Sequence, residues 1–246
     1  MRRGCLAAAA LLGLARGGFA QALNDQGGRL ALLLTPVAAF APIATSTITH
    51  EVQKSPAFVL RYGYLAGQDL PKNDFGATIT FPLALSSTIS LTAGSAACVG
   101  CKTAGMFGIG ADFRIYEQPF GVFNSDERVT ISLNADGGWG QARTRFIDNG
   151  DAWSVAAGMP VALVTHARAG GNDKLRFVPW VTPGVGYGSM HIDEVDRTSK
   201  GTRFLLAGGL AVYTRGGTIA GNIGAQYLAW RDGDITFGVA LVIGGK

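Results

Sequence analysis

Charge is the first thing this sequence lacks. Lys, Arg, Asp and Glu supply 15% of its 246 residues, against about 25% in a soluble domain. A chain this poor in charge has trouble covering a surface that meets water. It also has no excess of one sign to offer a polyanion. The formal net charge is +4, but Arg2, Arg3 and Arg16 stand in an acid-free N-terminal stretch, and without them 18 of the 21 basic residues remain against 17 acidic ones. That near balance argues against nucleic acid as a partner. Cysteine is scarce as well: Cys5, Cys98 and Cys101 are too few for a disulfide-built fold. No convincing helical stretch follows the N-terminal leader. The apolar run inside it, residues 5–15, is too short to cross a bilayer as a helix.

What the sequence has instead is alternation. In residues 128–136, Val129, Ile131, Leu133 and Ala135 are apolar, and Arg128, Thr130, Ser132, Asn134 and Asp136 are polar. A period of two is the β-strand period, so one face is oily and the other wet. The pattern recurs along the chain: Phe58, Leu60, Tyr62 and Tyr64 oppose Val59, Arg61 and Gly63, and Phe75, Ala77, Ile79 and Phe81 oppose Gly76, Thr78 and Thr80. Phe107, Ile109, Ala111, Phe113 and Ile115 oppose Gly108, Gly110, Asp112 and Arg114. At the end of the chain Ile235, Phe237, Val239, Leu241 and Ile243 oppose Thr236, Gly238, Ala240 and Gly244. Turn residues fill the gaps, as a meander of hairpins requires. The fold class is all-β, an antiparallel up-and-down barrel of about ten strands, with eight and twelve as the alternatives.

The N-terminus has the form of a secretory signal over residues 1–22. Arg2 and Arg3 form the charged region, residues 5–15 the apolar one, and Ala20-Gln21-Ala22 a small-x-small cleavage site. Residues 23–56 are expected to be an extended segment or the first barrel strand or strands, because Pro36 and Pro42 argue against a long helix. Residues 57–246 form the barrel itself.

Alternation alone fits a soluble secreted β-domain with its oily face inward equally well. Composition favours the opposite sense. The wet faces carry Gly, Thr, Ser and Asn with few charges, and most Lys, Asp and Glu sit between strands. Small side chains suit the crowded interior of a narrow barrel, and closure satisfies every backbone group in lipid. Tyr62, Tyr64, Phe75, Phe81, Tyr187 and Tyr227 lie on oily faces, where interfacial girdles sit.

On residues 128–136, on Val181-Thr182-Pro183-Gly184-Val185-Gly186-Tyr187, and on residues 206–212 through 243, the chain resembles the small bacterial outer-membrane β-barrels, the opacity-protein-like group. The resemblance covers roughly the last three quarters of the chain and implies residence in the outer membrane. It also implies contact with outer-membrane lipid, and handling by periplasmic chaperones and the barrel-assembly machinery. Members of the group end on a terminal aromatic, and this chain ends Val242-Ile243-Gly244-Gly245-Lys246 instead.

Three sets of residues are candidates for chemistry. Arg61, Asp112, Arg114, Arg128, Asp136 and Arg176 point to the lumen with Asn222 and Gln226. Unpaired charges there are costly, so Asp and Arg are expected to pair across a plugged interior; a narrow anion-leaning path is the alternative. Ser189, His191 and Asp193 alternate on one strand end, the residue types of a hydrolase. Neighbours on one strand face lie about 7 Å apart, which favours a plain polar rim over a hydrolase acting on lipid or peptide. Cys98 and Cys101 bracket two residues between strands and suit a small loop disulfide, with a free or metal-bound pair as the alternative. The sequence calls for no cofactor and no metal. The expected role is structural or surface-interacting and non-catalytic, with a small-solute channel as the second reading.

Overall fold

The computed structural model describes residues 26–40, 56–66, 72–84, 87–98, 103–119, 127–143, 149–166, 175–193, 196–214, 217–229 and 234–244. The signal reading of residues 1–22 lies outside them. The strands are β1 Ala57–Ala66, β2 Lys72–Ala84, β3 Ser87–Cys98, β4 Ala104–Pro119, β5 Arg128–Gln141, β6 Gly150–Gly158, β7 Val161–His166, β8 Leu175–Ile192, β9 Arg197–Thr214, β10 Ile219–Leu228 and β11 Asp234–Gly244. Neighbours in sequence pair antiparallel, except that β6 and β7 each pair with β5 and β8 and not with one another, and β1 pairs with β11 from Ala57↔Gly244 to Ala66↔Ile235. The sheet therefore closes on itself.

β6 and β7 are two lengths of one stave, since both lie between β5 and β8. The break falls at Met159 and Pro160, where proline has no N–H to give the ladder. The ladder is bridged there, because Ser132 N donates to the Pro160 carbonyl at 2.9 Å and Met159 N to the Pro183 carbonyl at 2.9 Å. Ten staves result, as the alternation predicts. The connections after β1, β3, β5, β8 and β10 share one end, here called upper; Ala57 and Gly244 lie at the lower end.

The oily face is outside. Phe75, Phe107 and Val239 are each more than half exposed, and Leu60, Ile109, Ile223, Phe237 and Leu241 share that surface. β11 alternates buried and exposed at every residue. An apolar surface of this extent is stable in hydrocarbon, and a soluble monomer does not carry one. Aromatic pairs stand in the upper half of this surface: Tyr62 with Phe75 at 5.0 Å, Trp153 with Tyr187 at 5.4 Å and Phe107 with Trp139 at 6.2 Å between ring centroids.

The segment expected to be extended or strand-forming is helical where it is described, and this is a correction. α1 spans Gln26–Leu34 and α2 spans Pro36–Ala39. Pro36 misleads because it begins a helix and does not interrupt one. Pro36 opens α2, where its missing N–H costs nothing, and Thr35 is extended (φ −113°, ψ 160°) and separates the two helices. Leu and Ala are strong helix formers. Ala31, Leu32, Leu33, Leu34, Ala38, Ala39 and Phe40 are all buried, and a helix that is apolar all round has to be.

The two helices plug the lumen. Inward-facing glycines let them approach the wall: a methyl group on Gly63 would strike the Ala39 carbonyl, and one on Gly140 the Leu34 carbonyl. On Gly186 it would come within 2.7 Å of Leu32, and on Gly76 within 2.6 Å of Phe40.

Three substitutions test this packing. Replacing Val239 by Arg places a charge near mid-membrane on the lipid face, and it is expected to cost roughly 2–4 kcal/mol in urea unfolding from a bilayer. Gly140→Val is expected to destabilise by about 1–3 kcal/mol through overpacking against α1. Gly221→Ala, where a methyl meets nothing within 4 Å, leaves stability within about 0.5 kcal/mol; heating series of the folded band on gels give the comparison.

Candidate functional site: the plugged lumen and the upper rim

At the upper level the plug is tied to the wall by charge. Arg29 on α1 donates from Nε and Nη2 to both carboxylate oxygens of Asp234 at the start of β11, the second bond measuring 2.6 Å. Their side chains are 11% and 2% exposed. A buried charge without a partner is strongly destabilising, so this pair fixes where α1 sits. Two further ties run to the wall, one on β6 and one on β11. Thr35 Oγ1 lies 2.5 Å from Ser154 Oγ on β6, and Thr236 Oγ1 on β11 donates to the Ala38 carbonyl at 3.1 Å. Sequence reasoning missed Arg29 and Asp234 because one lay in the unassigned lead-in and the other in a supposed turn. Asp234 does share the parity of Thr236 and Gly238, which is the signal that places it inward.

Below the plug the wall is polar on one side and apolar on the other. Along β1–β5 the inward positions include Arg61, Thr78, Thr80, Thr88, Thr92, Asp112, Asn134 and Asp136. These, with Pro36, Val37 and Phe40 of the plug, line a cavity of about 70 Å³. Arg61 lies over the Phe40 ring at 5.0 Å and interacts electrostatically with Asp136. Asn134 Nδ2 donates to Asp136 Oδ2 at 3.0 Å. Asn134 Oδ1 and the fully buried Thr80 Oγ1 have no hydrogen-bond partner among the described residues, a cost of roughly 1–3 kcal/mol each for a truly dry group. On the other side Val59, Val164, Val178, Trp180, Ala211, Tyr213 and Val242 pack together. Trp180 Nε1 donates to Asn222 Oδ1 at 2.9 Å within that wall. Arg176 and Gln226 are buried as well.

At the lower rim Glu117 accepts from two arginines, Arg114 at 2.8 Å and Arg128 at 2.9 Å. Strict alternation from Phe113 would place Glu117 outside. A register shift between Arg114 and Tyr116 reverses the parity, so Tyr116 faces Ile131 and Glu117 faces Thr130. Ile115 and Tyr116, two successive large residues both exposed, are the sequence mark of that bulge. Arg61 thus meets an aspartate, and Arg114 and Arg128 share a glutamate that lay outside the candidate set. Asp74 and Arg203, also buried, belong to β2 and β9.

The upper rim does not assemble a triad. Ser189, His191 and Asp193 share the outer side of β8 and its end, as the alternation has it. His191 Nδ1 lies 3.0 Å from Thr198 Oγ1, and Nε2 lies 3.5 Å from Asp193 Oδ1 and 3.9 Å from Asp196 Oδ1. Ser189 is buried at 6% exposure, and no hydrogen bond joins it to His191 among the described residues. Cys98 ends β3, and Cys101 lies outside the described residues, as do His50 and the connection that holds Cys101. Among the described residues no group of three His, Cys, Asp or Glu is placed to hold a metal ion.

No family model matches this sequence, and no curated protein matches it. Solved structures that match are barrels of outer membranes. The N-terminal β-barrel domain of Pseudomonas aeruginosa OprF is 9% identical, with 78% of this chain and 98% of that one covered and a TM-score of 0.33. The outer membrane enzyme PagL is 12% identical over 77% and 99%, with a TM-score of 0.35. Ail, the attachment invasion locus protein of Yersinia pestis, is 11% identical over 77% and 95%, with a TM-score of 0.32. Scores at this level carry neither a family nor an activity to this chain. Its barrel form is established by its own closed ladder, from β1 round to β11.

Proposed function

We propose that this chain is an integral outer-membrane barrel with a structural or surface-interacting role and a lumen closed at rest. The observation that carries the reading is the division of polarity. Large apolar side chains cover the outside, and two buried helices occupy the upper lumen. Lipid contacts the outer face. The upper connections, including the β8–β9 hairpin that carries His191, are the surface offered to external partners, and periplasmic chaperones and the barrel-assembly machinery are the partners during biogenesis. The separation of Ser189 from His191 supports a non-catalytic role.

Three measurements test this. Refolded in detergent, the chain is expected to migrate differently on a gel before and after boiling, as closed membrane barrels do; free solubility in plain buffer with no shift would remove it from the membrane. In planar bilayers the wild-type chain is expected to show no large, steady conductance, and sustained single-channel current would make it an open channel instead. For the rim, Ser189→Ala and wild type should give equal, background rates on ester and phospholipid substrates, and a rate that falls with the substitution would identify a hydrolase.

A further inference from the structure

The plug and the half-polar lumen fit together in a way that a merely filled barrel does not need. We propose that the plug is a gate: the Arg29–Asp234 pair latches it over a polar path along β1–β5, and small hydrophilic solutes pass when it moves off that wall. The gate rests on the closed resting state argued above.

Three features support it. First, the two sides of the lumen are filled by different means. The apolar side closes on its own side chains, with Trp180, Tyr213 and Val178 buried in one cluster. The polar side is built from small residues, Thr78, Thr80, Ser90, Thr92, Gly108 and Gly110, and leaves a cavity. Second, the surface of the plug that rests on the polar side is mismatched to it. Pro36, Val37 and Phe40 cover a wall of hydroxyls, and Thr80 Oγ1 and Asn134 Oδ1 find no partner beneath them among the described residues. Water entering as the plug lifts would satisfy both, so the closed state gives up polar contacts that a hydrated one regains. Third, the polar ties that hold the plug run to Ser154 on β6 and to Asp234 and Thr236 on β11, the strands that flank this wall. Breaking the charged tie therefore loosens the plug without altering the path.

Below the cavity the path continues past Ser132 and Thr130 to the lower rim. Its charges are three arginines, Arg61, Arg114 and Arg128, and four acids, Asp74, Asp112, Glu117 and Asp136. With charges of both signs so nearly balanced along it, the open path should select weakly between small anions and cations.

The test is single-channel recording with KCl from the full chain, with assembly checked by the heat-dependent gel shift. Wild type stays closed. Asp234→Asn keeps the side-chain size and removes the charge by which β11 holds Arg29, so open time should rise on the order of tenfold or more. Thr35→Cys with Ser154→Cys, made with Cys5, Cys98 and Cys101 replaced by Ser, sets two thiols where hydroxyls lie 2.5 Å apart. Its disulfide should hold Asp234→Asn shut until reductant is added. A salt gradient across the open variant should give a reversal potential near zero. If Asp234→Asn fails to assemble, Arg29→Gln decides, because it leaves every strand unchanged. Silence of the assembled latch variants, opening that the disulfide does not stop, or strong ion selectivity each overturns the gate. Conductance of the wild type overturns the closed resting state itself.

Discussion

The ladder between β1 and β11 is the contact on which the rest depends. In hydrocarbon no water is present to satisfy a backbone N–H or C=O, and an open sheet edge costs several kcal/mol per group. Ten residues of β1 meet ten of β11 without a register shift, so the sheet has no edge. Closure then decides the polarity of every side chain. Once the outside is lipid, each strand has one direction left for its polar residues, and Arg61, Asp112 and Arg176 go there because nothing else will take them.

Closure also sets the width, and the width explains the glycines. Ten strands spaced about 4.8 Å apart and tilted about 40° give a backbone diameter of roughly 20 Å. Side chains from both walls reduce the free bore to about the 10–12 Å of one α-helix. A helix fits such a space only where the wall gives way. Gly63 and Gly140 stand where the carbonyls of Ala39 and Leu34 press on the wall, and Gly186 where Leu32 does. The alternation of glycine with large apolar residues thus has two origins, lipid on one face and the plug on the other.

The barrel was legible in the sequence because its determinants are local. Val129, Ile131 and Leu133 against Thr130 and Ser132 specify a two-faced strand whatever the rest of the chain does, and the same holds through Ile243. The inward residues Arg61, Asp112, Asn222 and Gln226 followed from parity alone. What was not legible depends on tertiary context. α1 is short, and an isolated helix of nine residues is marginal in water; it exists because the lumen encloses it. Glu117 escaped because the bulge at Arg114–Tyr116 changes parity in mid-strand. Asp74, Arg203 and Asp234 looked like turn residues because charge at a strand end reads as loop, and only the partner strands show how far β2, β9 and β11 extend.

The buried pair at the top of the lumen ties these levels together. Arg29 and Asp234 are 205 residues apart in sequence, and Asp234 is the first residue of the strand that closes the barrel. Neither charge is stable alone in that position. Arg29 and Asp234 meet only when α1 is in place and β11 stands beside β1. Docking of the plug and closure of the wall are therefore mutually stabilising, and a barrel closed without its plug carries an uncompensated carboxylate at its upper end. The contact has one of the longest sequence separations this chain allows, and contacts of that kind form late. The final barrel contact and the seating of the helix are on this reasoning one cooperative step, which is why a chain with so little charge keeps an ion pair where it is most expensive to bury.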